Sequence, residues 1–366
     1  MSGHRNSALR QPCQTTLAPG LQLITLLRMS SWKVFITARV SHEVGQPALA
    51  LMREAGCQIT IPDAFGPFKA EQIQKLLAGM DAVLASADEY PASVLQAPSL
   101  AGLKIISRWG VGYDSIDVAA ATKCGIVVAY TPGLLNDAVA DYTFALLLAV
   151  ARRVHEAHLS MHHGKWTVGW GHDIAGKTLG IIGCGRIGQA VARRASGFNM
   201  RVLGCDIAPP PGTEAIRFVS LDQLLAESDF VTLNAALTPG SRGLIGEAQL
   251  RSMKPSACLV NTARGPLVDE PALARALREG WIAGAALDVF ATEPLPADHP
   301  FRNTPNLLLS PHQASFGRET GERVSLASAQ AIVDLMNSRR PQCVVNPEVF
   351  DLPALRTRGQ SQLLTS

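Results

Sequence analysis

The sequence predicts an α/β protein built from two doubly wound parallel-sheet domains. Three observations lead to this fold class. Short apolar segments alternate with helical ones from Trp32 to Met336, a glycine-rich turn joins one such segment to a helix near the middle of the chain, and 366 residues exceed what one hydrophobic core usually holds. Regular alternation of strand and helix favours parallel strands with helices on both faces.

The first part of the chain supplies the elements of one predicted sheet. The predicted strands are Lys33 to Thr37, Gln58 to Ile61, Ala82 to Ala85, Lys104 to Ser107 and Ile126 to Ala129. The predicted helices are Pro47 to Ala55, Ala70 to Leu77, Ala92 to Ala97 and Val118 to Cys124. Two of these strands, Ala82 to Ala85 and Ile126 to Ala129, are continuous apolar runs, as expected for strands that are buried on both faces.

A long and strongly apolar helix is predicted next, from Asn136 to His155. Either Asn136 or Asp137 is expected to cap its N-terminus, because both side chains can accept a backbone N–H bond. A helix that is apolar on most of its surface needs partners on several sides. We therefore expect it at a domain crossover or at a dimer contact.

The glycine-rich turn lies between a predicted strand, Thr178 to Ile182, and a predicted helix, Arg186 to Ala195. Its glycines, Gly183, Gly185 and Gly188, have the spacing G-x-G-x-x-G. The first permits a tight turn, the second lets the backbone approach a pyrophosphate, and the third lets the helix pack closely on the strand. The helix N-terminus offers unpaired N–H groups to phosphate oxygens. The pattern therefore predicts a dinucleotide site.

An acidic residue after the next strand indicates which dinucleotide binds. The strand Arg201 to Cys205 is followed by Asp206, eighteen positions after Gly188. A carboxylate there can accept hydrogen bonds from the ribose hydroxyls of NAD, and it repels the additional phosphate of NADP. NAD is therefore the predicted cofactor. The alternative is an ordinary strand-to-helix turn with an exposed aspartate.

The alternation of strands and helices then continues to Met336. The predicted helices are Leu221 to Glu227, Glu247 to Met253, Pro271 to Glu279 and Glu319 to Met336. The predicted strands are Phe230 to Asn234, Cys258 to Thr262, Gly284 to Val289 and Leu307 to Ser310. The last helix is expected to return to the first domain.

Composition limits the classes of partner and cofactor. A net charge of +3 without a basic stripe argues against nucleic acid, and no apolar run reaches the ~18 residues of a membrane span. Seven cysteines without a CxxC pair indicate reduced thiols in a cytoplasmic protein. Histidines at 155, 158, 162 and 163 lie close in sequence, but exposed helix histidines are common, so no metal site is predicted.

Three reactive side chains stand just past apolar strands, at the sheet edge where open α/β sheets bind ligands. Arg264 follows CLVNTA, Glu293 follows ALDVFAT, and His312 follows LLLSP. Taken singly, each has an ordinary structural explanation as a surface residue or a turn. Together they predict a catalytic site.

These segments resemble the D-isomer-specific 2-hydroxyacid dehydrogenase family. The similarity rests on NTARGPLVDE, LDVFATEP, SPHQAS, the glycine turn with Asp206, and RWGVGYDSID, and it covers Trp32 to Asp351. The resemblance implies that Arg264 grips the substrate's carboxylate and keto oxygen, which suits its planar fork of donors. It also implies that His312 is the general acid and base, and that Glu293 orients it and favours its charged form.

The resemblance further implies the remaining binding residues. The backbone N–H groups of Val111 and Gly112 are expected to hold the substrate's carboxylate, and Asp288 is expected to bind the nicotinamide amide. The full predicted cofactor set is Gly183, Gly185, Arg186, Ile187, Gly188, Asp206, Ala235, Thr262, Ala263, Arg264, Asp288 and His312. The segment Asn234-Ala235-Ala236 departs from the family's usual His-x-Pro, which leaves the contacts there open.

The predicted architecture is a Rossmann NAD-binding domain, 135–311, inserted in a flavodoxin-like substrate domain made of 31–134 and 312–351. Residues 352–366 are predicted to form a loose tail. Residues 1–30 are predicted to be a disordered extension. Alternatives for this acid-poor, arginine-containing segment are a transit peptide or an upstream start with Met29 as the true first residue.

The substrate is predicted to be a small 2-keto or 2-hydroxy acid. AYTPGLLNDAVAD is similar to glyoxylate and hydroxypyruvate reductases, and Asp88 and Glu89 stand where a phosphate-binding arginine is expected in phosphoglycerate dehydrogenases. Reduction of hydroxypyruvate or glyoxylate by a homodimer is therefore the leading hypothesis. Phosphoglycerate oxidation and a non-enzymatic, NAD-sensing corepressor are the alternatives.

Overall fold

The computed structural model describes residues 31–39 and 44–357. The extension predicted over 1–30, and the part of the predicted loose tail beyond residue 357, lie outside the described residues. The described chain contains two parallel sheets, each accompanied by helices. The predicted α/β class with two doubly wound sheets is confirmed.

The first sheet consists of the strands β1 (Lys33–Ile36), β2 (Gln58–Thr60), β3 (Ala82–Ala85), β4 (Ile105–Arg108) and β5 (Val127–Ala129). They lie in the order β2-β1-β3-β4-β5, and all neighbours are parallel. This is the flavodoxin-like order. The accompanying helices are α1 (Gln46–Glu54), α2 (Ala70–Leu76), α3 (Ala92–Leu95) and α4 (Val118–Lys123).

The second sheet consists of β6 (Thr178–Ile182), β7 (Arg201–Cys205), β8 (Arg217–Phe218), β9 (Phe230–Leu233), β10 (Cys258–Asn261), β11 (Gly284–Leu287) and β12 (Leu307–Leu309). The order is β12-β11-β10-β9-β6-β7-β8, with all neighbours parallel. The strand order reverses at β6, which is the switch point where a doubly wound sheet opens a crevice for a dinucleotide. The two-residue strand β8 was not predicted, because so short a segment has no periodic pattern.

Six helices follow the first sheet in sequence: α5 (Asn136–Ala151), α6 (Val154–His162), α7 (Arg186–Ser196), α8 (Leu221–Glu227), α9 (Glu247–Ser252) and α10 (Glu270–Glu279), before the last helix, α11 (Arg318–Met336). Short 3-10 helices are formed by Pro98–Leu100, Gly265–Leu267, Pro300–Asn303 and Pro347–Asp351. Among the described residues, no helix combines the length and the apolar character needed to cross a membrane.

The single helix predicted from Asn136 to His155 is wrong in two respects. It ends at Ala151, because Arg153 adopts a left-handed conformation with φ 53° and a second helix begins after it. The N–H of His172 bonds to the carbonyl of Ala151 at 2.8 Å, so a later segment caps the helix end. Neither predicted residue caps the start, since the N-cap is Leu135 without a side-chain bond.

Helix α11 returns to the first sheet, as predicted. Ser107 Oγ donates to the carbonyl of Ser328 at 2.8 Å, and the indole of Trp109 donates to Ser325 Oγ at 2.9 Å. The last helix therefore contacts both β4 and the loop that follows it. The exact domain boundaries at 134/135 and 311/312 stay predictions.

Among the first six residues of the predicted loose tail, Arg356 makes defined contacts, while Pro353 and Ala354 are exposed. The guanidinium of Arg356 donates to the carbonyls of Leu100 and Leu103 at 2.6 and 2.7 Å. The backbone N–H of Arg356 donates to the carbonyl of Gly125 at 3.2 Å. The polar composition of this segment concealed these contacts, because they are made by one side chain and by backbone groups.

Candidate active site

A cleft of about 930 Å³ lies where the carboxyl ends of the two sheets face each other. The loop after β4 lines it with Val111 and Gly112, and the segments after β10, β11 and β12 line it with Arg264, Glu293 and His312. The fold thus gathers all of the residues predicted as catalytic or substrate-binding. They come from positions up to 201 residues apart (312 − 111).

His312 and Glu293 form a hydrogen-bonded pair in this cleft. His312 Nδ1 lies 2.7 Å from Glu293 Oε2, and Glu293 Oε1 accepts the N–H of Phe290 at 2.9 Å. Burial raises the pKa of Glu293, whereas the hydrogen bond and the charge of His312 lower it. The lowering effects are larger in sum, so the pKa of Glu293 lies below its ordinary value. Glu293 is therefore a carboxylate at neutral pH. Since Nδ1 is engaged, Nε2 is the ring nitrogen left for a ligand.

The turn that carries His312 is held by the buried carboxylate of Asp288. Its oxygens accept from Ser310 Oγ at 2.5 Å, from the N–H of Gln313 at 2.9 Å and from the N–H of Ala314 at 2.8 Å. His312 itself has φ 51°, and its N–H donates to the carbonyl of Asp288 at 2.7 Å. The structure therefore shows Asp288 fixing the histidine turn. Its predicted contact with the nicotinamide amide stays a prediction.

Arg264 is placed by its neighbours along the chain. The side chain of the fully buried Asn261 bonds to the N–H of Ala263 and the carbonyl of Arg264, at 3.0 and 2.8 Å. A Cβ atom on Gly265 would clash with the backbone of Phe290, so glycine lets this turn pack against the segment that leads to Glu293. The local sequence thus brings the arginine and the His312–Glu293 pair to the same cleft.

A buried arginine that was not predicted as a site residue holds the loop after β4. Arg108 Nε donates to the carbonyl of Gly112 at 2.9 Å, and Nη1 donates to the carbonyl of Trp109. Burial, together with the nearby positive charge of Arg264, lowers the pKa of Arg108 to about 10. The signal that could have identified it is its position just past the predicted strand Lys104 to Ser107, comparable to the positions of the three predicted residues.

The glycine turn has the geometry that its spacing predicts. Gly183 has φ 88°, and a Cβ on it would lie 2.5 Å from the backbone nitrogen of Ala235. A Cβ on Gly188 would clash with the carbonyl of Gly183, whereas a Cβ on Gly185 would meet no described atom within 4 Å. Packing of the protein therefore requires the first and third glycines. The second leaves open space at the N-terminus of α7.

Comparison with known proteins identifies the family. A model of the D-isomer specific 2-hydroxyacid dehydrogenase NAD binding domain matches residues 144–314. The chain is 40% identical over 339 residues to a glyoxylate reductase from Thermofilum pendens, covering 89% of this chain and 98% of that relative. It is 49% identical over 256 residues to the glyoxylate reductase of Korarchaeum cryptofilum, covering 68% of this chain and 77% of that relative.

The chain belongs to the D-isomer-specific 2-hydroxyacid dehydrogenase family. A solved structure from Thermus thermophilus has the same fold, with a TM-score of 0.77 and 40% identity over 86% of this chain and 99% of that one. The protein is therefore an NAD-dependent dehydrogenase, as the glycine turn and Asp206 predicted.

The residues of the dehydrogenase fit NAD. The open space at Gly185, in front of the uncapped N-terminus of α7, suits a pyrophosphate approached by backbone N–H groups. Besides Arg264 and His312, the predicted cofactor residues that line the main cleft are Ile187, Ala235, Thr262 and Ala263. The three glycines, Arg186, Asp206 and Asp288 do not line it, and their individual cofactor contacts stay predictions.

Asp206 also supports the backbone of the glycine turn through a hydrogen bond. Its Oδ2 accepts the N–H of Cys184, inside the glycine turn, at 2.7 Å, and its Oδ1 accepts the N–H of Ala208 at 2.9 Å. The carboxylate thus links the end of β7 to the glycine turn. A carboxylate oxygen can accept more than one hydrogen bond, so both oxygens can still receive ribose hydroxyls.

Asp206→Ala is expected to weaken NADH binding by about 10- to 100-fold, because the hydrogen bond to the glycine turn is lost together with the predicted charge-assisted bonds to the ribose. NADPH binding is expected to weaken much less, since the substitution also removes a charge that repels the extra phosphate. Fluorescence titration of each cofactor checks this, with the exposed Asp222 of α8, changed to alanine, as the matched control. Equal losses for both cofactors would show that Asp206 acts only on the turn.

The histidines near α6 do not form a metal centre in the part of the chain that the structure describes. Within residues 31–39 and 44–357, no three His, Cys, Asp or Glu side chains are grouped so that they could hold a metal ion. The rings of His158 and His162 instead contact each other edge to face, with centroids 4.4 Å apart.

Proposed function

We propose that the protein reduces glyoxylate or hydroxypyruvate with NADH. The observation that carries the proposal is the cleft in which a guanidinium, Arg264, accompanies the hydrogen-bonded pair of His312 and Glu293. A 2-keto acid needs a cation for its carboxylate and a proton donor for its carbonyl oxygen. The relatives named as glyoxylate reductases support a small acid as the substrate.

Each residue has a distinct role in this proposal. Arg264 binds the carboxylate and the keto oxygen, and the N–H groups of Val111 and Gly112, in the loop beside Arg264, hold the carboxylate. His312 gives a proton from Nε2 to the keto oxygen as a hydroxyl forms. Glu293 holds the other ring nitrogen and stabilises the positive charge of the imidazolium that donates. NADH, when bound, supplies the hydride.

The two acids that were expected to repel a phosphate both have bonded partners within the protein. Asp88 is fully buried, and burial raises its pKa. It accepts hydrogen bonds from the Thr37 hydroxyl, the N–H of Phe68 and the Tyr90 hydroxyl. Glu89 pairs with Lys69 at 2.8 Å. The argument from charge against a phosphorylated substrate is therefore weaker than the sequence alone indicated.

The test is NADH oxidation by the purified protein with glyoxylate, hydroxypyruvate, phenylpyruvate and 3-phosphohydroxypyruvate. The proposal expects the highest kcat/KM with glyoxylate or hydroxypyruvate. A preference for the phosphorylated acid would favour the phosphoglycerate alternative, and turnover of none of the four would contradict the proposal. Repeating the series with NADPH measures how strictly NAD is preferred.

We also propose that the enzyme is a homodimer that buries the surface of α6 and the segment after it. The large apolar side chains of this surface are more than half exposed in one chain, and the two tryptophans are 84% and 96% exposed. The surface consists of Val154, Leu159, Met161, Trp166, Val168 and Trp170. Contiguous exposed apolar residues of this kind mark protein interfaces.

Light scattering after size exclusion is expected to give twice the mass of the chain for the wild type, and the mass of one chain for Trp166→Ser combined with Trp170→Ser. The control is Leu326→Ser, an apolar residue of α11 that is 41% exposed and lies outside this surface. A double variant that keeps the wild-type mass would contradict the proposed interface. A cytoplasmic location and the lack of nucleic-acid partners stay predictions from composition.

A further inference from the structure

One ion pair crosses the cleft between the two sheets at the substrate-binding arginine. Arg264, which follows β10 of the second sheet, donates from Nε to both carboxylate oxygens of Asp114, at 2.9 and 3.2 Å. Asp114 lies in the loop after β4 of the first sheet, 150 residues away in sequence. Both side chains are partly shielded from water, at 24% and 35% exposure, so their attraction is stronger than at an open surface.

The other atoms of the guanidinium show which donors remain for a ligand. Nη1 donates to the carbonyl of Ala263 at 2.7 Å. Nη2 lies directly over Gly112, where any Cβ atom would clash with it. Nη2 has no hydrogen-bond partner among residues 31–39 and 44–357, and guanidinium donors lie in one rigid plane. A bond at Nε therefore fixes the direction of the remaining donors.

We propose that Asp114 is a positioning residue for Arg264. By holding Nε, it turns the guanidinium so that Nη2 lies beside the backbone of Gly112, and the donors of both converge on one carboxylate position. This inference rests on the proposed reduction of a small keto acid and adds a residue to its machinery. Asp114 does not touch the reacting atoms, and its effect passes through Arg264.

The charges around the loop support this role. Arg264 is near enough to Arg108 for its positive charge to lower the pKa of Arg108. The negative charge of Asp114 raises the same pKa. Asp114 is therefore a negative group close to both guanidiniums. Its removal leaves two like charges without this counterion, and Arg264 is the more exposed of the two and the freer to turn away.

The test compares Asp114→Asn with wild type in glyoxylate reduction at saturating NADH. We expect KM for glyoxylate to rise by about 10- to 100-fold, because an ion pair that orients the carboxylate-binding group is lost. The dissociation constant of NADH is expected to stay within about twofold of wild type. The control is Asp117→Asn, three positions along the same loop, where the carboxylate accepts the N–H of Ala120 at 2.9 Å and starts α4.

A double-variant cycle separates positioning from general support of the loop. When Arg264 is already replaced by lysine, which has no Nε, adding Asp114→Asn is expected to lower kcat/KM by less than about threefold. A full additional loss in that background would show that Asp114 acts independently of Arg264 and would overturn the proposal. A KM for Asp114→Asn within about twofold of wild type would do the same.

Binding of oxamate, an unreactive analogue of a keto acid, distinguishes this proposal from the proposed function. Calorimetry of oxamate with the NADH-loaded protein needs no turnover. Weaker oxamate binding in Asp114→Asn, with no wild-type reduction of glyoxylate, would support the positioning role and contradict glyoxylate as the substrate. Unchanged oxamate binding in Asp114→Asn, with active wild type, would overturn the positioning role alone.

Discussion

Replacing His312 with alanine is expected to lower kcat for keto-acid reduction by about 100- to 10,000-fold, which is the usual contribution of a positioned general acid. The ring that Glu293 holds at 2.7 Å is removed, and no proton donor then stands at its place in the cleft. NADH affinity is expected to stay within about threefold, since the glycine turn and Asp206 are untouched. Steady-state kinetics and a fluorescence titration of NADH measure the two quantities separately.

A second histidine–glutamate pair provides the matched control for this variant. His299 Nε2 lies 3.3 Å from Glu270 Oε2, and neither residue lines the main cleft. His299→Ala removes an imidazole with a carboxylate partner, and kcat is expected to change by less than about threefold. A loss below tenfold in His312→Ala, or equal losses in both variants, would contradict the proton-donor role.

The joint placement of Arg264, Glu293 and His312 was predictable because parallel strands leave little freedom. Each residue follows a different apolar run, and the carboxyl ends of neighbouring parallel strands meet at one edge. Strands β10, β11 and β12 are indeed consecutive neighbours in the sheet. Local patterns therefore carry the information about the strands, and the topology of the fold then brings their ends together.

Contacts between the two sheets could not be predicted in the same way. The Arg264–Asp114 pair joins segments 150 residues apart, and its geometry depends on how two separately formed sheet edges meet. The support that Asp288 gives to the turn of His312 was not predicted for a related reason. Three of the groups that donate hydrogen bonds to Asp288 come from a turn 22 to 26 residues later in the chain. Sequence patterns identify such charged residues, but the packed fold determines their partners.

The break between α5 and α6 shows another limit of local patterns. The segment from Asn136 to His155 has no proline or glycine to end a helix, so periodicity alone predicts one continuous element. The break occurs at Arg153, which is left-handed and pairs with Glu156, and the chain returns to bond at Ala151. The bond from His172 to Ala151 is a tertiary contact, and such contacts can override helix propensity, which differs by only about 1 kcal/mol or less per residue among non-proline residues.

Arg264→Lys is expected to lower kcat/KM for glyoxylate by about 100- to 1,000-fold, although the charge is kept, because two charge-assisted hydrogen bonds in a planar fork are lost. An ammonium group has no Nε at which Asp114 can hold it, and its donors rotate freely about the end of a flexible chain. The bond from Arg264 Nε to Asp114 at 2.9 Å is lost at the same time. Initial rates against glyoxylate at saturating NADH give the loss.

Arg302→Lys is the matched control for Arg264→Lys. Arg302 lines the same cleft, but its guanidinium donates at 2.8 Å to the carbonyls of Pro296 and Leu295, so its bonds support the local backbone. Its replacement is expected to change kcat/KM by less than about threefold. If both lysine variants behaved alike, positive charge alone would suffice in the cleft. If only Arg264→Lys lowers kcat/KM, the keto acid is recognised by the direction of the hydrogen-bond donors. That direction depends on the contact between Arg264 and Asp114, which joins the two sheets.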